Sequence, residues 1–69
     1  MRILTARQVN RILERQGFVQ TRQRGSHRRY RGVVGGRTRL VTVAQHRDIP
    51  PDTLRTIIKQ SGLPRDLFE

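Results

Sequence analysis

Gly17-Phe18-Val19-Gln20-Thr21-Arg22-Gln23-Arg24-Gly25-Ser26-His27-Arg28-Arg29-Tyr30-Arg31-Gly32-Val33-Val34-Gly35-Gly36-Arg37-Thr38-Arg39-Leu40-Val41-Thr42-Val43 is the stretch on which the fold turns. Residues 18–22 are short and β-prone. Arg24-Gly25-Ser26 reads as a turn, and residues 27–31 follow as a strongly basic strand. The glycine-rich residues 32–36 read as a connection, and residues 37–43 as a third strand. Side chains alternate between the two faces of a strand, so Val41 and Val43 share one face while Leu40 and Thr42 share the other. In the second strand Tyr30 falls opposite His27, Arg29 and Arg31. If Tyr30 packs under the helices, His27 faces the open side of the sheet or its edge.

A helix is expected on each flank. On the amino-terminal side Thr5 and Gln8 fit a capping box, and Leu4 with Val9 fits a hydrophobic staple. Val9, Ile12 and Leu13 recur at helical spacing, and Gly17 is placed for a left-handed stop, which predicts a helix over residues 6–16. Its other face carries Arg7, Arg11 and Arg15 at i, i+4 spacing, with only Glu14 near enough to offset the repulsion. That row reads equally as a solvated face or as the footprint of an anionic partner. On the carboxy-terminal side residues 44–49 read as a loop, after which Pro50-Pro51 opens a second helix with Asp52 in its first turn. Leu54, Ile57 and Ile58 form its apolar stripe, and Gly62 ends it. The tail from Pro64 to Glu69 has room for one further turn that lays Leu67 or Phe68 on the core. The expected class is α+β, in the order α-β-β-β-α: a three-stranded antiparallel sheet with both helices on one face. This arrangement is similar to that of double-stranded-RNA-binding domains.

Length and composition bound what such a fold can do. Sixty-nine residues allow one small domain, 1–69, and leave no room for a dinucleotide-binding unit or a second core. Fifteen basic residues against five acidic ones give a net charge of +10, and all the basic residues but Lys59 are arginine. Such a field selects polyanions, nucleic acid before acidic protein or membrane, and the planar guanidinium fork matches phosphate oxygens. No cysteine is present, so disulfides and thiolate metal sites are out. Two separated histidines and five acids without ligand spacing do not make a metal site, and no cofactor is expected. No apolar run approaches a membrane span, and the stretch beginning Met1-Arg2-Ile3-Leu4 has no apolar leader segment, so a cytoplasmic protein is expected.

The side chains able to move protons near neutrality are His27 and His46. His27 follows a glycine turn (Gly25) and a hydroxyl (Ser26) and is flanked by Arg24, Arg28 and Arg29. RNA phosphodiester cleavage needs a proton taken from a 2′-hydroxyl, a proton given to the leaving oxygen, and charge stabilisation at phosphorus. An imidazole among guanidinium groups meets these needs, although a lone histidine in a basic strand is more often a binding contact. His46, just past the third strand, is a second candidate, or an ordinary loop residue. On the residues alone three readings stand: a ribonuclease, a non-catalytic RNA-binding module, and a basic domain made for an acidic protein partner.

Several segments together carry a family likeness. Gly17-Phe18-Val19 follows the first helix, then come Arg24-Gly25-Ser26-His27-Arg28-Arg29-Tyr30 and Val41-Thr42-Val43, with His46 shortly after. The last is Thr53-Leu54-Arg55-Thr56-Ile57-Ile58-Lys59-Gln60-Ser61-Gly62-Leu63. In this order the chain resembles a HicA-type toxin over residues 4–68. The resemblance implies a double-stranded-RNA-binding-like fold, metal-independent endonuclease activity on mRNA, and neutralisation by a HicB-type antitoxin. The family's catalytic histidine corresponds to His27, with Gly25 and Ser26 as its turn. On this reading Arg24, Arg28 and Arg29 bind phosphate, Ser26 orients the substrate or the turn, and the product is a 2′,3′-cyclic phosphate.

Overall fold

The computed structural model describes residues 3–69; Met1 and Arg2, the start of the stretch inspected for a leader segment, lie outside the described residues. The elements run α1 (Ala6–Arg15), β1 (Val19–Arg24), β2 (His27–Val34), β3 (Arg37–Ala44) and α2 (Pro51–Ser61), closed by a 3-10 turn (Arg65–Phe68). The three strands form one antiparallel sheet in the order β1-β2-β3. Among the described residues no helix is long and apolar enough to cross a membrane.

Each helix starts and stops for local reasons. The Gln8 N–H donates to Thr5 Oγ1 at 3.1 Å, and the Thr5 N–H donates to Gln8 Oε1 at 2.9 Å, which completes the capping box. Leu4 and Val9, the two ends of the staple, are both fully buried. Pro50 and Pro51 open α2, and Gly62 closes it in the left-handed conformation at φ 69°. Ser61, buried beside that cap, donates to the Ile58 carbonyl (2.8 Å) and accepts the Leu63 N–H (3.1 Å).

Both helices cover one face of the sheet. Tyr30, Val41 and Val43 point into that layer with no exposure, against Leu4, Leu13, Leu54 and Ile57. Each such side chain contributes about 1.5–3 kcal/mol by leaving water. Phe68, brought round by the 3-10 turn, joins the same core, while Leu67 stays partly exposed. An isolated bridge between Leu4 and Ile49 ties together the entries to the two helices.

Two departures from the sequence expectation bear on the site. First, β2 does not end at Arg31. Gly32, Val33 and Val34 continue the strand against Arg39, Thr38 and Arg37, and the connection shrinks to Gly35 and Gly36, both at positive φ. Gly32 is buried because the Phe18 ring lies over it; a Cβ there would meet three ring atoms at 2.7 Å. Second, β1 carries a bulge. Gln20 pairs with Tyr30 and Arg22 with Arg29, so Thr21 is one residue more than β2 can oppose.

Candidate nucleic-acid interface

The bulge determines which face of β1 is basic. From Val19, strict alternation would aim Arg22 and Arg24 towards the helices. The extra residue at Thr21 resets the alternation, so Arg22 comes to lie across from Arg29, and Arg24 across from His27. Paired residues of neighbouring strands point to the same side. The open face therefore presents two cross-strand rows: Arg24, His27 and Ala44, then Arg22, Arg29 and Thr42. Arg22, Arg24, His27, Arg29 and Thr42 line an open cleft of about 470 Å³. No acidic side chain takes part.

The β1–β2 connection fixes the imidazole at the end of this cleft. Arg24 and His27 are paired, so Gly25 and Ser26 alone form the loop, with Gly25 at φ 59°. A two-residue hairpin loop of positive φ at its first position calls for glycine there. The Ser26 carbonyl accepts the Gln45 N–H at 2.6 Å, which fastens the turn to the segment after β3. Gln45 is held in turn by a reciprocal amide pair with Asn10 of α1 (2.8 and 3.4 Å) and donates to the Val43 carbonyl (3.0 Å). The loop carrying the histidine is thus tied, through Gln45, to the first helix.

The structure divides the residues expected from sequence. His27, Arg24 and Arg29 come together in the cleft. Gly25 and Ser26 shape its end, and the Ser26 hydroxyl is not part of the lining. Arg28 is on the other face. Its guanidinium donates to Tyr30 Oη and, through Nε, to Gln23 Oε1, both at 3.4 Å, on the helix side of the sheet. Tyr30 Oη donates to Glu14 of α1 at 3.0 Å. Burial raises the Tyr30 pKa above its ordinary value; the Arg28 hydrogen bond opposes this and Glu14 adds to it. His46 also stays apart from the cleft. It is exposed, and its backbone is occupied with the Ala6 N–H at 3.2 Å and the Ala44 carbonyl at 2.8 Å.

Two lining residues were not among those singled out, Arg22 and Thr42. Thr42 was legible, since it shares an open-face row with Leu40 by simple alternation. Arg22 was not, because only the bulge puts it there.

Such an arrangement offers three guanidinium groups, a hydroxyl and an imidazole to an anion approaching a solvent-open face. Among the described residues no three histidine, aspartate or glutamate side chains are grouped as a metal site would need. Comparison with curated proteins returns no match, and comparison with solved structures returns none either. The model of the HicA toxins of bacterial toxin–antitoxin systems matches residues 6–63, a span that includes both helices, the sheet and the cleft. The chain belongs to the HicA toxin family, and its partner class is an antitoxin.

Proposed function

We propose that this toxin is a metal-independent endoribonuclease that cleaves mRNA, with His27 as its general acid/base. The observation that carries the reading is the placement of His27 in one open cleft with Arg22, Arg24 and Arg29, without a carboxylate. A phosphodiester lying over the cross-strand rows meets guanidinium donors from β1 and β2 together. The His27 imidazole takes the proton of the adjacent 2′-hydroxyl, and the 2′-oxygen attacks phosphorus. The bond from phosphorus to the 5′-oxygen breaks, and the leaving oxygen takes a proton from solvent in the open cleft. The imidazolium then returns its proton to solvent. The arginines offset the extra negative charge that gathers on the phosphoryl oxygens in the transition state. The products are a 2′,3′-cyclic phosphate and a free 5′-hydroxyl.

Residues along β2 fit a strand of RNA. Arg29 and Arg31 extend from His27 at two-residue steps of about 6.6–6.8 Å, close to the spacing of successive phosphates in an extended chain. Phe18, Tyr30 and Phe68 are all buried. No phenyl, phenol or indole ring is left for stacking bases, which favours contact with the backbone over reading of sequence.

A HicB-type antitoxin is the partner this reading requires. The +10 charge favours an acidic protein. Val19, Val33 and Leu40, each more than half exposed on the face that holds the cleft, give it an apolar footing at the end of the sheet away from His27, from the Arg31 row onward. The test is cleavage of a defined RNA in excess EDTA, with the new ends identified. Cyclic-phosphate ends formed at an undiminished rate agree with the proposal. Loss of activity that Mg²⁺ or Mn²⁺ restores contradicts it.

A further inference from the structure

The helix layer carries a second basic surface that the cleft does not use. Arg7, Arg11 and Arg15 are all exposed on the outward side of α1, opposite Val9 and Leu13, which enter the core. In an α-helix, four residues advance about 6.0 Å along the axis. The row therefore holds three guanidinium groups at nearly the repeat of successive phosphates.

Among the described residues none of the three forms an ion pair. Glu14, the sole acid on α1, accepts a hydrogen bond from Tyr30 Oη and forms an ion pair with none of the three. The first turn of α1 contains no acid to balance the helix dipole. Among the described residues the one ion pair, Arg55 with Asp52, belongs to α2. The loop that meets the first turn adds one arginine, Arg47, and one acid, Asp48, and so no net charge. Like charges at i, i+4 cost a few tenths of a kcal/mol per pair, a cost that contact with an anion turns into a gain. The surface between Arg7 and Arg11 is a shallow groove floored by Gln8 and holds no large apolar side chain. A solvent-exposed row of arginines of this kind suits a phosphate backbone better than a protein partner.

We propose that Arg7, Arg11 and Arg15 form a second RNA-binding surface, which holds a long RNA by its phosphates away from the cleft. The proposal rests on the ribonuclease reading only in taking RNA as the polyanion. Its binding test needs no catalysis.

Two triple variants of equal charge separate this surface from net charge. One is R7Q/R11Q/R15Q; the other, R37Q/K59Q/R65Q, removes three exposed charges elsewhere. Binding is measured with a 2′-O-methylated RNA of about forty nucleotides, which lacks the attacking hydroxyl, over a range of salt. The helix variant should lower the slope of log affinity against log salt by about two to three. The other variant should change it by less than one. In parallel, cleavage of a tetranucleotide that fits the cleft should proceed at the wild-type rate in both variants, while KM for long RNA rises only in the helix variant. Equal losses in the two triples would show that net charge alone is at work and would overturn the proposal. An unchanged slope in the helix variant would mark the row as a solvated face or a protein contact, and would overturn it as well. Failure of all proteins to cleave the tetranucleotide would refute the ribonuclease reading and leave the binding result to decide this one.

Discussion

Arg22→Gln and Arg28→Gln remove the same charge from neighbouring strands, yet their effects on cleavage should differ by an order of magnitude or more. Arg22 lines the cleft one row from His27, whereas Arg28 lies on the helix side of the sheet, bonded to Tyr30 and Gln23. A hydrogen bond from a guanidinium to a phosphoryl oxygen is worth about 1.5–3 kcal/mol. Its loss from the transition state should lower kcat/KM by about 10- to 150-fold. Arg28→Gln gives up two contacts of 3.4 Å, both at the long end of the hydrogen-bond range. Its screened charge is felt only weakly in the cleft, so kcat/KM should stay within about threefold of wild type. The assay is kcat/KM on a labelled oligoribonucleotide in EDTA at fixed salt, with circular dichroism to confirm that both variants fold. Equal losses, or a larger loss for Arg28→Gln, would refute the two-face assignment and with it the role of the bulge at Thr21.

Gly32→Ala should destabilise the fold by about 1–3 kcal/mol, because its Cβ has no room beneath the Phe18 ring. Thermal unfolding should show a Tm lower by about 4–24 °C, partly restored by adding Phe18→Leu; an unchanged Tm would show that the ring does not cover the glycine. Tyr30 has its pKa raised by burial, so the fold favours the neutral phenol. That contribution is complete below the unfolded value of about 10 and is lost as pH rises through the folded value. Urea titrations from pH 8 to 11.5 should therefore show wild type losing stability more steeply than Tyr30→Phe at the alkaline end, and parallel curves would contradict this. His46→Ala should leave cleavage nearly intact, since its side chain stands outside the cleft lining. A loss matching that of a cleft residue, read by the same oligonucleotide assay, would bring it into the site.

Much of the fold was legible because its signals are local. The capping box at Thr5 and Gln8, the proline start and glycine stop of α2, and the alternation around Tyr30 each follow from neighbouring residues, and the structure bears them out. The end of β2 was not legible, since Gly32 reads as a breaker until Phe18, fourteen positions earlier in the chain, is seen to cover it. For the site, alternation put His27 and Arg29 on the open face. The same rule, followed through, also assigns Arg28 to the side of Tyr30, although its place beside His27 in sequence suggested a phosphate contact. Arg22 depended on the register of β1, which the bulge shifts by one residue and which no local pattern announces. The Asn10–Gln45 pair, joining residues thirty-five positions apart, is likewise a product of the fold.

His27→Ala tests the central claim most directly. The substitution removes the imidazole and leaves the arginines of the cleft, the Gly25 turn and the buried core in place. With the variant shown to be folded, RNA cleavage in excess EDTA should fall by about 10² to 10⁴, the usual cost of losing a general acid/base. Affinity for 2′-O-methylated RNA should change little, and growth arrest on expression should be lost. A folded His27→Ala protein that cleaves RNA at close to the wild-type rate would contradict the account.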